Sequence, residues 1–131
     1  MPDIIFSRLV DTSILVDYLR GNKIAENWLG SFGPGELAIS VVTAAELVAG
    51  CRNRREQINV EKELAFYPML WISSATSVVA WEWYRHYRLS DGVGFLDCLI
   101  GASAYQYEII VCTLNEKHFR SFPNMKVERP Y

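Results

Sequence analysis

The stretch IIFSRLVDTSILVDYLRG, residues 4–21, contains both kinds of element from which the fold is built. Its first part, IIFSRLV, is apolar enough for a short buried strand. The part after it, TSILVDYLR, has the apolar spacing of a helix, which Gly21 ends. Asp11 stands between the two elements, directly after the strand. A strand followed at once by a helix is typical of α/β folds, in which helices connect parallel strands.

The same alternation of short apolar segments and helical segments continues to the end of the chain. Further strands are predicted at ELAIS, MLWIS, IIVCT and, at the sheet edge, MKVE. Helices are predicted at residues 24–31, at VTAAELVAG, at NRREQINVEKELAF, at SATSVVAWEWYRHYRL with Ser73 or Ser74 as its cap, and within residues 92–107. The pattern therefore predicts an α/β fold with a mainly parallel sheet. In such a sheet the ligand crevice lies beyond the carboxyl ends of the strands.

Composition bounds the class of protein. The chain has 131 residues, half of them apolar and 21% charged, which predicts a single domain over residues 1–131. The net charge of −2 argues against a general basic coat for nucleic acid. It does not exclude a nucleic-acid enzyme, because a bound divalent cation reverses the sign of an acidic pocket.

The cysteines and the N-terminus indicate the compartment. Cys51, Cys98 and Cys112 are odd in number and widely spaced, so neither a disulfide framework nor a zinc site is predicted. No signal peptide is expected, because charged residues interrupt the N-terminus, and no charge-free stretch reaches membrane-spanning length. We therefore expect a cytoplasmic protein with no membrane association.

Two acidic residues follow the first two predicted strands, and each has a structural alternative. Asp11 is placed at the crevice, but it is also a suitable helix N-cap. Glu46 is the sole charge between Leu37 and Gly50. It also matches a capping box, TAAE, with Thr43 as the cap.

A third acidic residue, Asp97, is the one charged side chain in GVGFLDCLIGASAYQY, residues 92–107. We expect it several residues inside its helix, too late to cap it, with Gly101 one turn later leaving room above the carboxylate. Burying an unpaired carboxylate is unfavourable by several kcal/mol or more. The structural alternative is a buried ion pair with Arg8 or Arg20.

Asn115 follows the last clear strand, and its structural alternative is a turn residue. The segment TLNE, from Thr113 to Glu116, also matches a capping box. Taken together, the three acids and this amide change the interpretation, because clustered carboxylates repel one another unless a cation joins them. Hard oxygen ligands favour Mg²⁺ or Mn²⁺, and such a cation binds a phosphate oxygen and activates a water.

Four segments carry a family resemblance. In chain order they are VDTSILVDYLRG, AISVVTAAELVAG, FLDCLIGASA and IIVCTLNEKHF. They resemble the four blocks of PIN-domain ribonucleases, above all the VapC toxins of type II toxin–antitoxin pairs, over nearly the whole chain. The resemblance implies a three-layer α/β/α sandwich around a central, mainly parallel sheet of four to five strands.

The resemblance also implies a site. The residues that match the family's catalytic positions are Asp11, Glu46, Asp97 and Asn115, of which the three acids are the metal ligands. The supporting residues beside them are Thr12, Ser13, Thr113 and Glu116. Asn115 stands where many relatives carry an acid, which puts a second metal in doubt. The resemblance implies Mg²⁺, with Mn²⁺ able to substitute, and endonucleolytic cleavage of RNA. It further implies a homodimer and a cognate antitoxin whose C-terminal segment covers the cleft.

RNA needs basic contacts that the overall charge does not supply. We interpret RNRR, residues 52–55, as a solvated surface and KHFR as the better candidate, with Lys117, His118 and Arg120 as RNA-binding residues.

Two rival interpretations of the function remain open. One is another aspartate-dependent phosphoryl-transfer fold, although DTS lacks the second acid of a D-x-D phosphatase motif and the acids and lysine of a receiver domain are not clear. The other is an inactive PIN-like interaction module, which Asn115 keeps open.

Overall fold

The computed structural model describes residues 6–131, and its strands and helices all lie within that range. The five strands are β1 (Arg8–Val10), β2 (Leu37–Ser40), β3 (Met69–Leu70), β4 (Ile110–Cys112) and β5 (Val127–Glu128). The seven helices are α1 (Thr12–Leu19), α2 (Lys23–Gly30), α3 (Val41–Ala49), α4 (Arg54–Leu64), α5 (Ser74–Asp91), α6 (Phe95–Tyr107) and α7 (Glu116–Arg120).

The strands form one sheet in the order β3-β2-β1-β4-β5, and every neighbouring pair is parallel. The central strand, β1, pairs Leu9 with Ala38 of β2 and Val10 with Cys112 of β4. The chain builds the sheet from β1 towards β3 and then returns to the other side of β1 for β4 and β5. The prediction of a mainly parallel sheet of four to five strands is confirmed, and the predicted segment MKVE contains the edge strand β5.

Successive residues of each strand face opposite sides of the sheet, as the two-residue period of a strand requires. Leu9 and Val111 belong to one apolar core, with α5, α6 and the region around α7. Val10 and Cys112 belong to the other, with residues of α1, α3 and α4. Because helices cover both faces, the strands are buried on both sides, and the predicted three-layer sandwich is confirmed.

The bounds of several elements differ from the predictions. The strand predicted at MLWIS is reduced to Met69–Leu70, and residues 4 and 5 of the predicted first strand lie outside the described residues. Ser73 is the cap of α5, since its hydroxyl accepts a hydrogen bond from the Thr76 N–H.

The three cysteines are free, and Cys98 and Cys112 are fully buried as small apolar side chains. Within residues 6–131, no helix combines the length and the apolar character that crossing a bilayer requires.

Candidate active site

The site lies where the strand order reverses, between β1 and β4. Asp11 follows β1 and Thr113 follows β4, so both stand at the carboxyl ends of adjacent parallel strands. The Asp11 N–H donates to the Cys112 carbonyl at 2.9 Å, which continues the β1–β4 pairing by one residue. Crevices at such a reversal are the usual ligand sites of open α/β sheets.

Two neutral hydroxyls hold the Asp11 carboxylate. The Thr113 hydroxyl donates to Asp11 Oδ2 at 2.8 Å, and the Ser13 hydroxyl donates to the same oxygen at 3.0 Å. Asp11 occupies the N-cap position of α1, but its side chain makes no capping hydrogen bond, so capping does not explain the residue. Asp11 is only 4% exposed, yet within residues 6–131 its Oδ1 has no hydrogen-bond partner. No buried side-chain oxygen in that range lacks a partner, so Oδ1 reaches solvent.

The two hydroxyls are themselves fixed by the loop that follows β4. Thr113 Oγ1 accepts the Asn115 N–H at 2.9 Å, and Ser13 Oγ accepts the Leu114 N–H at 3.1 Å. Each hydroxyl thus accepts from the backbone while it donates to Asp11. This arrangement orients the carboxylate without supplying a positive charge to it.

Glu46 lies beside Thr12, the residue after Asp11, and does not take part in a capping box. Helix α3 begins at Val41 with Ser40 as its cap, so Thr43 is inside the helix, and the alternative of a TAAE capping box is wrong. The Thr12 hydroxyl lies 2.8 Å from Glu46 Oε1 and 3.0 Å from the Thr43 hydroxyl. Thr12 therefore connects the start of α1 to the exposed carboxylate of Glu46.

Asp97 lies earlier in its helix than we expected. Helix α6 begins at Phe95 after Gly94, so Asp97 is in the first turn, where the positive end of the helix dipole favours a carboxylate. Its hydrogen-bond partner is His118, at 3.0 Å between Nδ1 and Oδ2, and not Arg8 or Arg20. The structural alternative of a buried ion pair with arginine is therefore wrong.

Burial raises the pKa of Asp97 above its ordinary value. The hydrogen bond from His118 acts in the opposite direction, and the negative charge of Asp11 raises the pKa further. The charge of Asp11 therefore disfavours the charged form of Asp97, an effect that a bound cation would offset.

The space next to Gly101 serves a different purpose from the one predicted. A Cβ atom on Gly101 would come within 2.9 Å of the Phe122 ring, so the glycine makes room for Phe122 and not for the Asp97 carboxylate. Phe122 in turn stacks on Trp83 with ring centroids 4.5 Å apart. Gly101 therefore lets the segment after α7 pack tightly on α6.

The residues after β4 divide between the site and the surface. Thr113 is fully buried and bonded to Asp11, so the capping box predicted from TLNE does not form. Asn115 is the N-cap residue of α7, is exposed, and makes no side-chain capping hydrogen bond. Glu116 begins α7 and accepts a hydrogen bond from Arg120 at 2.9 Å, so both side chains are engaged with each other.

The donor set fits a hydrated divalent cation. Among residues 6–131, no three His, Cys, Asp or Glu side chains converge closely enough to enclose a metal ion. Mg²⁺ does not need such a cage, since it keeps several waters and is commonly bound by one or two carboxylates together with substrate phosphates. Asp11 and Asp97 supply two carboxylates that interact through their charges, and Glu46 stands behind the Thr12 hydroxyl.

A groove of about 1050 Å³ extends from Glu46 between α1 and the pair α3 and α4. Its walls combine apolar side chains such as Val16, Leu19 and Val60 with charged ones. The charged lining residues are Arg20, Glu26, Glu46, Arg52, Glu56 and Glu63. Four acids face two arginines, and one of the arginines is paired with Glu56, so the groove is acidic.

Comparison with known proteins decides the family. The PIN domain model matches residues 8–124, which is most of the chain. The chain belongs to the PIN-domain family. The resemblance predicted from the four segments is therefore confirmed.

Relatives of this PIN domain are named ribonucleases. It is 39% identical to Ribonuclease VapC10 and 32% identical to Ribonuclease VapC19, both of Mycobacterium tuberculosis. The first alignment covers 90% of each chain, and the second covers 91% of this chain and 97% of the relative. Among solved structures, a toxin–antitoxin complex from Klebsiella pneumoniae aligns with a TM-score of 0.78 at 26% identity, covering 95% of this chain and 98% of the other.

Sequence reasoning missed one contact of the candidate site. His118 is predicted to bind RNA, and the structure places its Nδ1 3.0 Å from Asp97 Oδ2, a contact that the prediction did not include. The two residues are 21 positions apart and lie on different helices, so no local spacing could have indicated that they meet.

Proposed function

We propose that this chain is a Mg²⁺-dependent endoribonuclease and the toxin of a toxin–antitoxin pair, acting in the cytoplasm as one PIN domain over residues 1–131. The observation that supports this proposal most directly is the environment of Asp11. It is a carboxylate that is 4% exposed, lies at the switch point of the sheet and is held by two hydroxyls. No Lys, Arg or His among residues 6–131 forms a salt bridge with it. The relatives named as ribonucleases support the same activity.

Each residue then has a stated task. Asp11 and Asp97 would hold the cation directly, and Glu46 would hold it directly or through water, or would accept the proton of the attacking water. Thr113 and Ser13 keep the Asp11 carboxylate in one orientation. The cation, when bound, withdraws charge from the scissile phosphate and makes water a better nucleophile.

Asn115 and the start of α7 complete the cleft. Asn115 is exposed, and its backbone N–H donates to the Thr113 hydroxyl; we assign to its carboxamide the orientation of water or of an RNA phosphate. Lys117 is exposed and is our candidate for an RNA phosphate contact, whereas Arg120 is engaged by Glu116. Replacing Lys117 with alanine should raise KM for RNA and leave kcat near its wild-type value.

The test of the activity is RNA cleavage by the purified chain, freed of its antitoxin. Discrete RNA ends should appear with Mg²⁺, disappear with EDTA, and return when Mg²⁺ or Mn²⁺ is added in excess. Asp97→Asn should abolish these ends. Glu128→Gln, a carboxylate change outside the site, should not. Intact RNA with Mg²⁺ present would instead indicate the inactive interaction module.

We assign the acidic groove to the antitoxin segment that covers the cleft. Glu46 lines the groove, so a chain lying in it reaches one of the residues that we assign to the active site. Leu19 lines the groove and is 42% exposed, which makes it a suitable probe. Leu19→Asp should leave RNA cleavage unchanged but escape neutralisation by co-expressed antitoxin. Neutralisation equal to that of the wild type would place the antitoxin elsewhere.

The homodimer also remains our proposal. Val78, Trp81 and Leu89 lie on one face of α5 and are 62%, 55% and 84% exposed. Large exposed apolar faces of this kind commonly mark protein interfaces. Sedimentation of the wild type and of Trp81→Lys should separate dimer from monomer, and a wild-type monomer would contradict the assignment.

A further inference from the structure

The histidine of α7 is the one hydrogen-bond partner that the Asp97 carboxylate has within residues 6–131. His118 Nδ1 lies 3.0 Å from Asp97 Oδ2. The side chain of His118 is 41% exposed and that of Asp97 is 30% exposed, so the pair sits at the wall of the cleft and not in the core. Asp11, by contrast, is held by two hydroxyls.

Packing behind α7 fixes the position of His118. Phe119, the next residue, is fully buried, and its ring contacts Phe122 edge to face at 6.1 Å. Phe122 packs directly over Gly101, one turn after Asp97 on α6. The five-residue helix α7 is therefore anchored against the same turns of α6 that carry Asp97, and His118 is brought to the carboxylate by that packing.

We propose that His118 is a positioning residue for the metal site. Its Nδ1–H donates to Asp97 Oδ2 and so limits rotation of the carboxylate, leaving Oδ1 for the cation. This inference rests on the proposed function, because it assumes that Asp97 is a metal ligand. Groups that orient a metal ligand in this way commonly change metal affinity by about 10-fold to 100-fold when they are removed.

Two alternative roles for His118, general base and RNA contact, would use Nε2 and not Nδ1. A general base or an RNA contact needs Nε2, which is the atom farther from Asp97. Substituting His118 by asparagine or by glutamine separates these tasks. The amide nitrogen of asparagine occupies the position of Nδ1, and the amide nitrogen of glutamine occupies the position of Nε2. Positioning therefore predicts rescue by asparagine and not by glutamine.

The experiment is Mn²⁺ titration by calorimetry of the purified chain without antitoxin. His118→Ala should weaken Mn²⁺ binding about tenfold or more. His118→Asn should bind closer to the wild type than to His118→Ala, and His118→Gln should resemble His118→Ala. His86→Ala changes the chain's other histidine, which is exposed on α5, and should bind as the wild type does.

Failure of the positioning role and failure of the metal site itself give different results. Equal Mn²⁺ binding by the wild type and His118→Ala overturns the positioning role, as does rescue by glutamine but not by asparagine. A wild type that binds no Mn²⁺, or an Asp97→Asn variant that binds as well as the wild type, overturns the metal site itself. RNA cleavage as a function of Mg²⁺ concentration gives a second readout. His118→Ala should shift the half-saturating Mg²⁺ concentration more than the rate at saturation.

Discussion

Asp11 and Glu128 are two carboxylates beside the same pair of strands, and they are compensated in opposite ways. Glu128, on β5, accepts a hydrogen bond from Arg8 Nε at 2.9 Å and lies 3.3 Å from the Cys112 thiol. Asp11, at the end of β1, accepts hydrogen bonds from Thr113 and Ser13. One carboxylate has a cation from the protein, and the other has neutral donors alone.

The difference separates a structural carboxylate from one that awaits a ligand. The Arg8 guanidinium holds the pKa of Glu128 below its usual value and neutralises the charge within the protein. Hydroxyl donors orient Asp11 but bring no positive charge to it, and its negative charge raises the pKa of Asp97. A charge left uncompensated in a nearly buried position is unfavourable unless a cation from outside binds it.

The largest effect should follow Asp11→Asn. The amide oxygen can still accept from Thr113 and Ser13, so the fold should persist with an unchanged or higher Tm. RNA cleavage should fall by about a hundredfold or more, because the lost ligand removes several kcal/mol of transition-state stabilisation. Circular dichroism melting and a cleavage time course measure the two quantities. Retained cleavage would make Asp11 a structural residue like Glu128.

A smaller effect is expected for Thr113→Val, which removes one hydroxyl donor at nearly constant volume. The Asn115 N–H and the Asp11 carboxylate each lose a partner, so the free energy of unfolding should fall by about 1–3 kcal/mol. Activity at limiting Mg²⁺ should fall about tenfold, because Asp11 loses its orientation. Thr113→Ser keeps the hydroxyl and is the matched control; equal losses in both variants would refute the role of that hydrogen bond.

Glu128→Gln should change stability slightly and RNA cleavage not at all. The side chain of Glu128 is 39% exposed, so solvent screening limits the loss of its pair with Arg8 to less than about 1 kcal/mol. Thermal melting at pH 7 measures this loss. A clear decrease in kcat would show that the two carboxylates are functionally connected, contrary to the comparison.

The smallest effect is the pH dependence of that same pair. The pKa of Glu128 is lowered in the folded state, so its stabilisation is fully present above the ordinary value of 4.5 and is lost as pH falls through the lower folded pKa. The Tm difference between the wild type and Glu128→Gln should therefore be constant near neutral pH and shrink below pH 4.5. A difference that grew with acid would contradict the ion pair.

The fold was largely predictable because its signals are local. The apolar strands, the helical periodicity and caps such as Ser73 are properties of neighbouring residues. The bounds of the strands and helices were less predictable. A strand as short as Met69–Leu70 is defined by pairing with β2, and the segment MLWIS alone does not show where that pairing ends.

Candidate residues for the site could be named from the sequence, but their contacts could not. For Asp11, Glu46 and Asp97, the competing explanations, caps and an arginine pair, were removed only by the structure. Ser40 caps α3 in place of Thr43, and His118 takes the place expected for Arg8 or Arg20. The second of these depends on which distant side chain packs beside the carboxylate, and sequence spacing contains no such information.

The amino-acid sequence by itself determined an α/β fold with a parallel sheet and placed Asp11 at its carboxyl edge, because hydrophobic period and chain order are sufficient for both. Tertiary structure alone decided which groups compensate each carboxylate. Asp11 receives the Thr113 hydroxyl, Glu128 an arginine and Asp97 a histidine, because packing brings together residues that are 21 to 120 positions apart.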